Sequence, residues 1–354
     1  MPDDKAIVIW AKGKLQKVDI EAKTATEIPF ELTARHKLAE TVKFEQTVFT
    51  KEFEVKVLRH LVTAPNEEYV VFNALGHLWK SDVSRGKPER LTEDVHFEFE
   101  PSFDAEGKRL VYVSWDDEAQ GGIHILDLET GSKTSLDLPP AIYRTPSFSP
   151  DGEKIVFAKE GGNYHQGYQN TKNAGIYEVS IAEAEAKLLL KSGQNPQYSQ
   201  DGSKVFIQQR GGGKKIFVYL DLETLKVHEI FSSKYTTRFV PSPDNKWIAF
   251  KELFNVYIAA LPMHGKSIDL SAKIKNIPVA KVSRDAGINL HWAADSKTLH
   301  WTLGNEYFSE PLSDRFSFVE GAEETLPAID TTGTPIILSY PSDKPEGLIS
   351  FTIA

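Results

Sequence analysis

The sequence predicts an all-β fold, a β-propeller of four-stranded antiparallel blades. Three observations predict it: a turn phrase recurs along the chain, its spacing matches one blade, and each interval carries a second hairpin. The clearest copy of the phrase is Ser149-Pro150-Asp151-Gly152-Glu153-Lys154-Ile155-Val156-Phe157. Related copies run from Ala64 to Phe72, Asp104 to Tyr112, Ser199 to Ile207, Ser242 to Phe250 and Ala293 to Trp301, and a truncated one opens the chain at Pro2-Asp3-Asp4-Lys5. Marked by Asp3, Asn66, Glu106, Asp151, Asp201, Asp244 and Asp295, the copies lie 63, 40, 45, 50, 43 and 51 residues apart. A period of roughly 40–50 residues flanked by strands is that of a propeller blade.

The phrase has a physical reading. Pro presets φ for a tight turn, Asp folds its carboxylate onto nearby backbone N–H groups, and the following Gly or Asn takes a left-handed conformation. The apolar run after the turn, Ile155-Val156-Phe157 or Trp247-Ile248-Ala249-Phe250, is short and rich in β-branched and aromatic residues, as in a buried strand. A second hairpin follows in each period: Gly122–Gly131, Lys215–Thr224, Gly175–Val179, Asn255–Ile258 and Gly76–Trp79.

Residues 5–30 supply what reads as the last three strands of a blade, Ala6–Trp10, Leu15–Ile20 and Thr26–Phe30, without the innermost one. Because an open strand edge invites aggregation, closure is expected from Pro335–Tyr340 pairing with that first blade. This gives seven blades over residues 1–340. The alternative is six, with residues 1–30 outside the ring. Met1, directly before a broken repeat, points to missing upstream sequence. Three stretches break the period: an insertion at 31–55 with a strand-like Thr41–Phe49, a polar loop from Gly161 to Thr171, and an acidic run at 312–333. Long loops in a repeat protein are commonly functional, so Tyr164, His165 and Tyr168 of the polar loop are candidate ligand contacts.

Composition narrows the chemistry. The 354 residues carry a net charge of −9 with no offsetting basic cluster, which argues against nucleic acid as a partner. Cysteine is absent, which removes disulfides, thiolate metal sites and cysteine nucleophiles. No signal peptide or membrane-length apolar run is present. The ten histidines form no His-x-His or His-Glu-x-x-His pattern, and no Gly-x-Ser-x-Gly elbow occurs. No catalytic residue, cofactor or metal site is therefore expected. Arg210-Gly211-Gly212-Gly213-Lys214-Lys215 resembles a phosphate loop but joins two strands, so a hairpin turn is expected. Ala182–Lys187 has helix-forming composition but lies in an outer hairpin, where context overrides propensity. Asp116-Asp117-Glu118 is read as a solvated acidic loop rather than a Ca²⁺ site.

One constellation remains. In a propeller the innermost strand of each blade starts beside the central channel. Aligning the phrases puts His60, Glu100, Thr145, Asn195, Arg238 and Asn289 at that start. Such a polar ring suits a water-filled channel or a site for a peptide or small molecule. Arg238 favours a carboxylate, and Glu100 repels one unless paired.

Gly76-His77-Leu78-Trp79, Arg90-Leu91-Thr92 and Val113-Ser114-Trp115-Asp116-Asp117-Glu118 with Gly121-Gly122 resemble the TolB-like propeller of large secreted or periplasmic amidohydrolase-family proteins. The stretches Lys12–Leu15 and Ile28–Glu31 resemble the passage into that family's second propeller. Residues 343–352 resemble the linker that opens its amidohydrolase domain, so 341–354 is expected to be a linker. The resemblance implies a non-catalytic accessory domain, periplasmic or secreted, partnered by a C-terminal metal-dependent barrel. The alternatives are a free-standing TolB-like interaction module and the gating propeller of a serine oligopeptidase.

Overall fold

The turn phrase folds as its chemistry dictates. Ser199 Oγ donates to Asp201 Oδ1 at 2.6 Å, Asp201 Oδ1 accepts Ser203 N at 3.0 Å, and Lys204 N donates back to Ser199 Oγ at 3.0 Å. Ser149 and Asp151, and Ser242 and Asp244, repeat the arrangement. The fourth residue of the phrase is left-handed in six copies: Glu67, Gly107, Gly152, Gly202, Asn245 and Ser296. Glycine or asparagine is thus preferred but not required: Glu67 and Ser296 stand in copies that begin with alanine, where Asn66 Oδ1 and Asp295 Oδ1 accept the backbone N–H two residues on.

In the computed structural model, residues 5–37, 50–83, 86–162, 172–183, 185–330 and 332–341 are described. The chain divides into two compact units, one of residues 1–51, 161–172 and 342–354, the other of residues 52–160 and 173–341. The described part of the first is a three-stranded antiparallel sheet, β1 (Ala6–Ala11), β2 (Lys14–Asp19) and β3 (Ala25–Glu27).

The second unit opens with β4 (Glu52–Glu54) and continues as successive antiparallel sheets. Blade 1 is β5 (Arg59–Thr63), β6 (Tyr69–Ala74), β7 (His77–Asp82) and β8 (Glu89–Arg90). Blade 2 is β9 (Phe97–Phe103), β10 (Arg109–Trp115), β11 (Gly122–Asp127) and β12 (Lys133–Ser135). Blade 3 is β13 (Tyr143–Phe148), β14 (Lys154–Lys159), β15 (Gly175–Ser180) and β16 (Ala186–Leu190). Blade 4 is β17 (Gln194–Tyr198), β18 (Lys204–Gly211), β19 (Lys214–Asp221) and β20 (Val227–Ser233), with β24 (Ile268–Asp269) added in parallel at its outer edge. Blade 5 is β21 (Thr236–Pro241), β22 (Trp247–Glu252), β23 (Asn255–Ala260) and β25 (Val279–Lys281). Blade 6 is β26 (Ile288–Trp292), β27 (Thr298–Leu303), β28 (Glu306–Pro311) and β29 (Thr334–Pro335).

The core lies between blades rather than inside one globule. Val71 and Leu78 of blade 1 meet Leu110, Tyr112 and Leu126 of blade 2, and five further clusters fill the remaining interfaces around the ring. The last of these joins Tyr307 and Ile336 to Leu58, Leu61, Val70 and Phe72, so blade 6 packs on blade 1. Each such side chain contributes roughly 1.5–3 kcal/mol on burial.

Among the described residues six four-stranded sheets make up this ring, the second of the two counts read from the sequence. The expected strand exchange between 335–340 and residues 5–30 is not made. Thr334–Pro335 instead completes blade 6, and β30 (Ser339–Pro341) pairs with β4. The reason is local. The hairpin β27–β28 has an outer edge that 334–335 satisfies, and Val55 N then donates to Leu338 O at 2.9 Å. With blade 6 already packed on blade 1, closure needs no seventh sheet. Within the expected irregular stretches, Glu52–Glu54 is a strand, and Ala186–Leu190 is a strand rather than a helix. Gly212 and Gly213 form a two-residue hairpin turn with φ +56° and +75°. Thr41–Phe49 and 342–354 lie outside the described residues.

Candidate functional site

In a four-stranded meander the start of the inner strand, the turn between the second and third strands, and the connection to the next blade all lie at one end of the ring. Five of the residues expected at that mouth share an unusual backbone: His60 (φ 51°), Glu100 (53°), Thr145 (47°), Asn195 (51°) and Asn289 (55°) are left-handed. Each sits where the inner strand slips register against its neighbour, as between Phe99 and Ser102 of β9 against β10. Such bulges re-aim a side chain, and a left-handed non-glycine residue carries local strain. Arg238 is the exception. Blade 5 slips one residue earlier, between Thr236 and Arg238, and φ of Arg238 is outside the left-handed region.

The mouth is charged. Glu100, buried, accepts Arg144 Nη2 at 2.6 Å and Nε at 2.9 Å on Oε1, and Thr145 N at 2.6 Å on Oε2. Burial alone would raise the Glu100 carboxyl, but the hydrogen bonds and charge of Arg144 outweigh it and hold the group below the usual carboxylate range. His60 Nδ1 stands 3.9 Å from Glu100 Oε1. Its pKa is lowered, first by burial and then by Arg144, Arg59 and Arg238, which prevail over the pull of Glu100. Arg238 Nη1 donates to Asn195 Oδ1, and burial draws the guanidinium down to about 10. Gln208 braces this strand, its amide bonding Phe239 O at 2.8 Å and Phe239 N at 3.3 Å.

The structure therefore brings His60, Glu100, Thr145, Asn195 and Arg238 into one electrostatic group. Asn289 is engaged differently, bonding Leu58 O at 3.0 Å and Thr302 Oγ1 at 2.7 Å across the closure. Tyr164, His165 and Tyr168 lie outside the described residues. Arg144 and Arg59 were missed from sequence, although each stands one position before an aligned mouth residue. Lys215 and Lys251, at the same end of β19 and β22, carried no signal in the repeat.

A second cluster sits at the seam between blades 6 and 1. Thr63 N donates to His291 Nε2 at 3.1 Å, so that nitrogen carries the lone pair and Nδ1–H donates to Asn289 O at 2.7 Å. Thr63 Oγ1 lies 2.7 Å from the same Nε2 and 2.9 Å from Tyr307 OH, and Tyr307 OH lies 2.7 Å from His300 Nδ1. This is a directed chain of neutral groups. Burial lowers His291 to about 4, and burial with the neighbouring His291 lowers His300 to about 3.

Elsewhere, Asp116 Oδ1 accepts Glu118 N at 2.9 Å and Ala119 N at 2.7 Å, so its carboxylate caps its own turn. Among the described residues no group of three His, Asp or Glu converges as a metal site. A shallow cleft on the N-terminal sheet, lined by Gly13–Leu15 and Glu27–Glu31, contains the Lys14–Glu27 ion pair (2.8 Å) and lacks converging polar groups of the kind at the mouth.

The family model of the TolB beta propeller domain matches residues 68–270, more than half of the chain. The chain belongs to the TolB beta propeller family. A curated relative, the Tol-Pal system protein TolB of Francisella tularensis subsp. holarctica (strain OSU18), is 30% identical over 161 residues, 42% of this chain. That match spans only 34% of the relative's length. Among solved structures, a putative TolB from Agrobacterium tumefaciens matches with a TM-score of 0.53 and 16% identity, over 72% of this chain and 89% of that one. TolB from Acinetobacter baumannii matches with a TM-score of 0.52 and 16% identity, over 84% and 72%. At such identities these likenesses establish the shared fold.

Proposed function

We propose that this chain is a non-catalytic binding propeller whose working surface is the mouth. The observation that carries this reading is the convergence of His60, Glu100, Thr145, Asn195 and Arg238 from successive blades, the first four on left-handed bulges that fix where each side chain starts. Repeating a strained backbone while varying its side chains is how a rigid scaffold presents a site. The propeller then serves either of two arrangements. In the first it is the accessory domain of an amidohydrolase-type hydrolase, exported to the periplasm or beyond, steering substrate towards a metal-dependent barrel. The Trp115-Asp116-Asp117-Glu118 segment and the stretches near 12–31 and 343–352 favour this. In the second it is a protein-interaction module of the TolB kind, favoured by the family match over residues 68–270.

Two measurements test the reading. The purified chain should hydrolyse neither amides nor peptides, with or without added Zn²⁺; turnover lost on replacing one or two histidines would overturn it. Sequencing the gene past the codon for Ala354 separates the arrangements: a barrel bearing His-x-His supports the first, and a stop codon the second.

A further inference from the structure

We propose that the mouth binds a carboxylate carried by a polypeptide, with Arg238 as its anchor and the exposed apolar loops around the mouth as its flanking contact. The inference rests on the binding role above and names the chemistry of the partner.

Charge pairing at the mouth is incomplete, and incomplete in one direction. Glu100, the nearest acidic group, is already taken by Arg144 and by Thr145 N. Arg144 also reaches Glu160 Oε1 at 3.2 Å. Arg238 has no carboxylate within ion-pair distance among the described residues, and the uncharged Asn195 Oδ1 is its hydrogen-bond acceptor. A guanidinium offers five N–H donors in a planar fork that fits a carboxylate two bonds at a time. Arg238 is half-buried, so its guanidinium is partly withdrawn from water without an anion beside it, which is unfavourable, and an arriving carboxylate has an advantage there.

The surroundings reinforce this. Lys215 and Lys251 lie near the same end of their strands, and both are held below the usual lysine range: Lys215 by burial, then Arg210 and Arg238, and Lys251 by burial, then Arg238. Lys215 Nζ reaches the neutral Gln194 Oε1 at 3.4 Å. Thr145 Oγ1 is buried at the mouth without a hydrogen-bond partner. A cationic focus in a chain of net charge −9 is local, not a consequence of overall composition.

The apolar evidence is independent. Leu75, Val95, Tyr235, Leu253 and Phe254 are exposed on second-to-third-strand turns or blade connections, the loops that surround the mouth, and the exposed Leu303 ends β27 at the same place. Among the described residues, the exposed large hydrophobics on the loops and strand ends at the opposite end are fewer: Leu225, Val227 and Phe318. A small free acid would use the charge and leave this apolar surface idle. A polypeptide whose carboxylate is flanked by apolar side chains uses both, in the manner of an interface with a central anchor.

The test is a calorimetric titration of the whole chain at low salt with four probes: an acetylated Phe-Leu-Ala peptide with a free terminal carboxylate, its amide, an acetylated Phe-Glu-Ala amide, and succinate. The expected result is that a carboxylate peptide binds at least about tenfold more tightly than the fully amidated one. Added salt and Arg238→Gln should each erase that difference while the variant's melting transition stays cooperative. Preference for the terminal or the side-chain carboxylate identifies which source the mouth accepts. Succinate binding as tightly as the peptides would overturn the polypeptide partner. Equal binding of acid and amide, or no binding of any peptide up to about 10 mM, would overturn the carboxylate anchor. Amide chemical-shift mapping separates the levels. Perturbation of the mouth by acid and amide alike removes this inference and leaves the binding role, whereas perturbation confined to the outer strands removes both.

Discussion

The mouth and the seam between blades 6 and 1 are both built on inner strands of the same repeat, the seam adding His300 and Tyr307 from the second and third strands of blade 6, yet they handle polar groups in opposite ways. At the seam His291, Thr63, Tyr307 and His300 form a chain in which each hydrogen bond has one direction and no group needs a charge. At the mouth Glu100, Arg144 and Arg238 keep charges close together beside His60, whose pKa burial lowers, with Arg238 unmatched by any carboxylate among the described residues. A closure selected for stability favours neutral groups, although His300 Nε2 is left buried without a hydrogen-bond partner here. A surface selected for a ligand retains charge that only the ligand completes.

Acid should separate the two regions most strongly. His291 and His300 are neutral in the fold at about 4 and about 3, against an ordinary value of 6.5. Below pH 6.5 the unfolded chain takes up protons that the fold refuses. Their full contribution is therefore present above pH 6.5 and is lost as pH falls towards 4, at up to about 1.4 kcal/mol per pH unit for each imidazole. Unfolding free energies from urea titrations at pH 7, 6 and 5 should fall steadily, by as much as about 4 kcal/mol at pH 5, and His300→Gln should flatten the slope. An unchanged midpoint would mean that the seam is not the neutral chain described.

Glu100→Gln is expected to cost about 2 kcal/mol, because Arg144 loses its charged partner, and to raise carboxylate affinity at the mouth. Lower stability with tighter binding is the pattern of a charge held against the ligand; a loss of both would make Glu100 a ligand contact instead. Thr63→Val should cost about 1–2 kcal/mol by interrupting the seam chain. It should leave peptide affinity untouched, which calorimetry on the same sample would check.

Much of this was legible in the residues. The Ser-x-Asp-x turns and buried strands follow from local chemistry, so the blades and the positions of the mouth residues could be read by alignment. Blade number could not, because it depends on where Thr334–Pro335 and Ser339–Pro341 find edges, which is a long-range choice. The left-handed backbone at His60, Glu100, Thr145 and Asn195 was equally hidden, since none is a glycine. Pairing of Glu100 with Arg144 crosses from blade 2 to blade 3, a contact no spacing within one repeat records. The seam was invisible for the same reason, its Thr63 and His291 being 228 residues apart.

The most direct measurement of the central claim is Arg238→Gln assayed for stability and carboxylate-peptide affinity together. Arg238 is held down to about 10 by burial and pairs with no carboxylate among the described residues. Its replacement by a neutral donor is therefore predicted to leave the urea midpoint unchanged or raised while affinity falls at least about tenfold. A lowered midpoint with affinity retained would contradict the account, making Arg238 part of the scaffold and the mouth no different from the seam.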